Sequence, residues 1–228
     1  MSEILCVTNR KLCREPFLTR LDRIAAARPA GIILREKDLP EPEYRALARE
    51  VLSICRSYRV PCILHTYPET ARVLEADGLH LPLPLLRTLT PDFPVLGASC
   101  HSSADVLEAQ KLGCTYVTAG HIFDTGCKPG LPGRGLAFLA QVCRETSLPV
   151  YAIGVPTVVD AATLTLDVLE EAGKSDVDPA ALRGQGSVMV TPRDIDARAG
   201  QLARVVGFGV GLALQPSLSL DELRALID

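Results

Sequence analysis

The chain of 228 residues is poor in aromatic side chains. It has no tryptophan, and aromatics are 4% of the sequence. No basic stripe with interleaved aromatics is present, so nucleic acid is not an expected partner. No apolar run reaches the roughly 18 residues needed to span a bilayer, so no membrane is expected either. The start, MSEILCVTNR, lacks the basic and apolar regions of a signal peptide and reads as a first strand of a cytoplasmic protein. No G-x-G-x-x-G follows that strand, which argues against a dinucleotide site. The eight cysteines contain no C-x-x-C pair. Scattered through apolar runs, they read as buried, reduced thiols rather than a disulfide framework.

A hydrophobic fraction of 47% is enough for a large core, and 22% charged residues is ordinary for a globular chain. The net charge of -3 is uneven. Residues 149–228 hold 6 Lys and Arg against 11 Asp and Glu, while residues 1–148 hold 18 against 16.

Short apolar runs alternate with helix-like segments. Strands are expected at 4–9, 30–36, 60–66, 78–82, 94–100, 114–120 and 148–155. Amphipathic segments such as EPEYRALAREVLSICRSYR lie between them, with Tyr44, Leu47, Val51 and Ile54 on one face. Continuous apolar strands joined by helices indicate buried parallel strands. Seven such strands in about 155 residues point to an α/β fold of the (β/α)8 TIM-type barrel class. Active sites of barrels lie at the C-terminal ends of the strands. The polar residues there include Asn9, Arg10, Arg35 to Asp38, His65, Thr66, His80, Ser99 to His101, and His121. All four histidines of the chain belong to this group, which suggests one shared site. The Gly/Pro-rich loop GHIFDTGCKPGLPGRG, 120–135, follows the sixth strand and packs His121, Asp124, Thr125, Cys127 and Lys128 together.

At IILREKDL, GASCHS and GHIFDTGCKPGLPGRGLAFL, the sequence resembles the thiamin phosphate synthase and thiazole tautomerase (TenI-like) family, over about residues 3–154. The third motif points to the tautomerase branch. The synthase branch carries carboxylates for magnesium after its third and fourth strands. Here those places read His65-Thr66 and HLPLPLL, so no carboxylate remains for a hard cation. The resemblance thus implies a metal-free and cofactor-free isomerase that relocates a proton on a phosphorylated thiazole carboxylate.

By the same resemblance His121 is the proton carrier, a role that suits imidazole near neutral pH. Cys127 stands beside it as a second acid/base or hydrogen-bonding group. Arg35 and Lys37 would hold anionic parts of the substrate, with Ser99, Thr125, Lys128 and Gly154 completing the binding set. Read without the resemblance, Arg35 and Lys37 could instead pair with Glu36 or Asp38. Cys127 could be a small loop residue, Glu36 reads as structural, Asp124 as a turn residue, and His80 and His101 as weak choices for direct chemistry.

The family continues after its seventh strand with Gly-Gly, whereas this chain reads Gly154-Val155-Pro156. From about 148, LPVYAIGVPTVVDAATLTLDV and VMVTPRDIDARAGQLARVVGFGVGLAL resemble the C-terminal part of the spore germination endopeptidase. The expectation is therefore a barrel portion over 1–154 and a germination-protease-like segment over 155–228. That segment would supply a helix (157–173), a mobile linker (174–185), an eighth strand (186–192) and a last helix (193–214). Two further readings stay open: a catalytically dead barrel that only binds thiazole or thiamin phosphates, and a peptidase derived from the C-terminal portion. A homo-oligomer also stays open.

Overall fold

The computed structural model describes residues 3–13, 15–89, 91–122, 130–153 and 205–211. Eight parallel strands close a barrel in chain order. They are β1 (Glu3–Val7), β2 (Gly31–Leu34), β3 (Cys62–His65), β4 (Gly78–Pro82), β5 (Leu96–Cys100), β6 (Tyr116–Gly120), β7 (Val150–Ile153) and β8 (Val205–Gly211). Among the described residues six helices pack outside: α1 (Phe17–Ala26), α2 (Glu41–Tyr58), α3 (Pro68–Val73), α4 (Leu83–Leu89), α5 (Ser103–Lys111) and α6 (Gly135–Glu145). A 3-10 turn, Arg10–Leu12, follows β1.

The first seven strands fall where the apolar runs are, trimmed by one or two residues at most ends. The eighth does not. The strand expected at 186–192 lies outside the described residues, as do the helix at 157–173 and the linker at 174–185. The last helix, expected over 193–214, is corrected: Val205–Gly211 is a strand, pairing with β1 from Glu3↔Gly207 to Val7↔Gly211 and with β7 on its other side. Its sequence, VVGFGVG, explains why. Three glycines would each cost a helix about 1 kcal/mol. Glycine alternating with Val or Phe has instead the period of two that a strand requires.

Side chains on the barrel strands alternate between the helix layer and the interior. Outward residues such as Cys6, Ile32, Leu34, Leu64, Leu79, Ala98 and Val117 join the main core with Leu21, Val51 and Leu52 of the helices. Inward residues Leu5, Ile33, Ile63 and Tyr116 form a second cluster that fills the lower barrel, with Val7, Val95 and Tyr151 against it. The Tyr116 ring takes its space from β5: a Cβ at Gly97 would clash with the hydroxyl end of the ring. One buried group ties the layers together. The Tyr44 hydroxyl donates to the Leu34 carbonyl at 2.6 Å and accepts from the His65 amide at 2.8 Å, so α2 holds the ends of both β2 and β3. All seven cysteines among the described residues are free thiols.

Candidate active site

One step of two residues along the inward face of each strand leads from the apolar plug to a polar floor. Ile33 is followed by Arg35, Ile63 by His65, Gly78 by His80, Gly97 by Ser99 and Tyr116 by Thr118. The strand register sets His65 opposite His80, which is level with Gly97 and Tyr116, and puts Ser99 opposite Thr118 one inward step further along. This floor lies at the C-terminal ends of the strands, where barrels place their chemistry.

The centre of the floor is an imidazole pair. The His65 and His80 rings are stacked with centroids 5.7 Å apart and planes 20° from parallel. His80 Nδ1 is 2.9 Å from the Tyr116 hydroxyl, and its Nε2 is 2.9 Å from the Ser99 hydroxyl. His65 Nδ1 is hydrogen-bonded to the Thr66 hydroxyl. Burial, then the neighbouring Arg35 charge, pushes the His80 pKa down to about 3. His65 is also held well below its ordinary value, by burial first and then by His80, Arg35 and Lys37. Both rings are therefore neutral at physiological pH, and burial holds the Tyr116 phenol protonated. Arg35 acts on both imidazoles and Lys37 on His65, each disfavouring a charged ring.

A second network fixes the loop after β1. The Glu36 carboxylate is buried, 3% exposed. It accepts from the Thr8 hydroxyl (2.6 Å), the Arg10 amide (3.0 Å) and the Arg10 guanidinium (3.2 Å). Thr8 in turn accepts from the Arg35 amide at 2.9 Å. Arg10 also grips Asp38 with two bonds of 2.7 and 2.8 Å, and Lys11 reaches the same carboxylate at 3.0 Å. Glu36 and Asp38 are thus both engaged by the loop after β1.

His121 stands just past β6 and is buried, 7% exposed. Its Nε2 lies 3.2 Å from the Leu131 carbonyl. Its Nδ1 is buried and has no hydrogen-bond partner among the described residues. The strand end beneath it is pinned by His101, whose Nδ1 donates to the Gly120 carbonyl at 2.7 Å. The loop returns onto the same point, with the Arg134 and Gly135 amides donating to the carbonyls of His121 and Ile122.

Of the residues singled out in the sequence, Arg35, Lys37, Ser99 and His121 lie at this rim. Cys127, Thr125, Lys128 and Gly154 lie outside the described residues. His80 lies within β4 rather than past its end, and Tyr116 was not among the sequence candidates. Its signal was indirect: a tyrosine opening a buried strand, level with a glycine on the neighbouring one.

The magnesium that the synthase branch uses finds a poor donor set on this floor. Hard cations take oxygen ligands, with carboxylates foremost. Here the strand-end positions of β3 and β4 present imidazoles already bonded to Thr66, Tyr116 and Ser99. Glu36 and Asp38 are engaged by Thr8, Arg10 and Lys11.

Parallel strands closed in chain order, with polar side chains toward their C-terminal ends and a buried histidine just past the sixth strand, define a TIM-type barrel whose rim is the candidate active site. The chain belongs to the thiamine monophosphate synthase family, whose profile matches residues 4–182. It is 33% identical over 159 residues to the putative thiamine-phosphate synthase 2 of Aquifex aeolicus, covering 68% of this chain and 85% of that one. It is 31% identical over 212 residues to the thiamine-phosphate synthase of Roseiflexus sp., covering 86% and 89%. Among solved structures, the thiamine phosphate pyrophosphorylase of Pyrococcus furiosus superposes with a TM-score of 0.69 at 20% identity, over 98% of this chain and 93% of that one. The family match does not stop at 154, where the sequence suggested a boundary. It runs on through residue 182, into the segment set apart as protease-like.

Proposed function

We propose that within this family the chain acts as a thiazole tautomerase-like isomerase of thiamine biosynthesis, on a phosphorylated thiazole carboxylate. The observation that carries the reading is the environment of His121. A carbonyl oxygen can only accept, so the bond to Leu131 places a proton on Nε2. In the neutral ring Nδ1 is then a bare lone pair, buried and without a partner among the described residues. That is a base held ready. Nδ1 takes a proton from one atom of the substrate and returns it to another, so bonds and charge balance with no oxidant or second substrate. Arg35 and Lys37 hold the carboxylate and offset negative charge as it develops. Cys127, Thr125, Lys128 and Gly154 keep the roles the resemblance gives them.

A second reading is favoured by the names of the relatives, which are thiamine-phosphate synthases. In it the barrel is a synthase-like protein that has lost its carboxylates and only binds thiazole or thiamine phosphates. The His121→Ala variant separates the two. Under the first reading it keeps the fold and the affinity for the thiazole phosphate, measured by calorimetry, while isomerisation falls by at least about 100-fold, the loss typical of a removed acid–base group. A variant that isomerises at the wild-type rate would remove His121 from the reaction.

A further inference from the structure

The floor holds a hydrogen-bond chain whose proton order can be worked out from its inner end. The Tyr116 ring is buried, and its hydroxyl has one hydrogen-bond partner among the described residues, His80 Nδ1. Suppose Nδ1 were the donor. The phenol hydrogen would then have to turn away into the apolar plug of Leu5, Ile33 and Ile63 with nothing to receive it. A buried donor left unmade is costly, while an unused phenol lone pair is not. The phenol therefore donates, and Nδ1 accepts.

The groups facing His80 keep its ring neutral. They are Tyr116 from β6, Ser99 from β5, His65 from β3 and Arg35 from β2, with no carboxylate among them. A neutral imidazole that accepts at one nitrogen donates at the other. Nε2 thus gives its hydrogen to Ser99 Oγ at 2.9 Å. Ser99 makes no other hydrogen bond among the described residues, and it is only part-buried. Its own hydroxyl hydrogen is left for whatever lies on the rim.

We propose that Tyr116, His80 and Ser99 form a proton-ordered relay from the barrel interior to the rim, in which His80 is a positioning residue that fixes Ser99 as a hydrogen-bond donor to the ligand. Ser99 then accepts ligands that present an oxygen acceptor at this point, a carboxylate or phosphate oxygen, and disfavours a donor there. The ligand half of the inference rests on the reading of this rim as the substrate site; the order of protons does not.

Long-range proton–nitrogen correlation on the ligand-free wild-type protein labelled in histidine tests the order directly. The expected result is a neutral His80 with its proton on Nε2, unchanged from pH 7 to pH 5. A proton on Nδ1, or a charged ring at pH 6, overturns the relay.

The ligand half is read from kcat/KM for the phosphorylated thiazole carboxylate. Ser99→Ala should lower it about 10- to 100-fold, the worth of one hydrogen bond to a charged group. His80→Gln keeps an N–H near the Nε2 position and should stay within about threefold of wild type. His80→Glu presents an acceptor, draws the Ser99 hydrogen inward, and should lose as much as Ser99→Ala. Adding Ser99→Ala to His80→Glu should then change nothing further. Losses that multiply in that double variant, or a His80→Gln as damaged as His80→Glu, overturn the positioning role. A wild-type protein with no turnover would sink the isomerase reading instead, and the tautomer of His80 would still decide the relay.

Discussion

Removing the Glu36 carboxylate tests how the rim is built. Glu36→Ala leaves three donors facing a void: the Thr8 hydroxyl at 2.6 Å, the Arg10 amide at 3.0 Å and the Arg10 guanidinium at 3.2 Å. Thr8 is buried, so its hydroxyl loses a charge-assisted bond worth about 1.5–3 kcal/mol. The Arg10 side chain is 28% exposed and keeps Asp38, so its loss is discounted to about 0–1 kcal/mol. The Arg10 amide is part-buried and contributes about 1 kcal/mol. The sum is about 2.5–5 kcal/mol, a fall in melting temperature of about 5–20 °C for a domain of this size.

Glu36→Gln keeps one acceptor oxygen and should lose about half as much. The same network holds the Arg35 amide through Thr8, so Glu36→Ala should also raise KM through Arg35. Urea unfolding followed by circular dichroism reads the stability. A Glu36→Ala protein within about 0.5 kcal/mol of wild type, the range of ordinary surface changes, would refute the claim that this carboxylate organises the β1 loop.

Gly97→Ala should cost about 1–3 kcal/mol, because its Cβ would clash with the hydroxyl end of the Tyr116 ring, and Gly97→Ala with Tyr116→Ala should cost less than the sum of the two single changes in the same unfolding assay. Stability should also depend on pH through the floor. The His80 and His65 pKa values are depressed on folding, so the unfolded chain binds more protons as pH falls below about 6.5. Their contribution is complete above that pH and is lost as pH falls below it, for His80 on the way down toward about 3, by up to about 1.4 kcal/mol per pH unit for each group. Unfolding curves between pH 7 and pH 4 check this, and His80→Gln should flatten the slope.

Most of the barrel is legible in the sequence because buried parallel strands need no alternation. GIIL, CILH and YVTAG are mostly apolar and carry no acid, lysine or arginine, and they are buried throughout in the fold. The eighth strand is harder. Gly207, Gly209 and Gly211 dilute the apolar signal of VVGFGVG, and the string GSVMVTP twenty residues earlier looks more like a strand. The pairing of β8 with β1 joins residues about 200 apart, which no local pattern can report.

The rim shows the same divide. Arg35, Ser99 and His121 can be found by asking which polar residues end apolar runs. Tyr116 cannot, and His80, though found in that way, shows nothing of its role, because both depend on which inward positions of β4, β5 and β6 stand level, and register is a property of the closed barrel. The fit of Tyr116 over Gly97 is visible in neither strand alone.

The central claim is that this barrel moves a proton on a phosphorylated thiazole carboxylate by way of His121. Incubating the wild-type protein with that compound in deuterium oxide, without added metal, and following its ring protons by NMR tests it directly. Conversion to the isomer with one deuterium incorporated, lost in His121→Ala, is the predicted result. Tight binding with no isomer formed, or formation of thiamine phosphate once an aminopyrimidine pyrophosphate and magnesium are supplied, would contradict it.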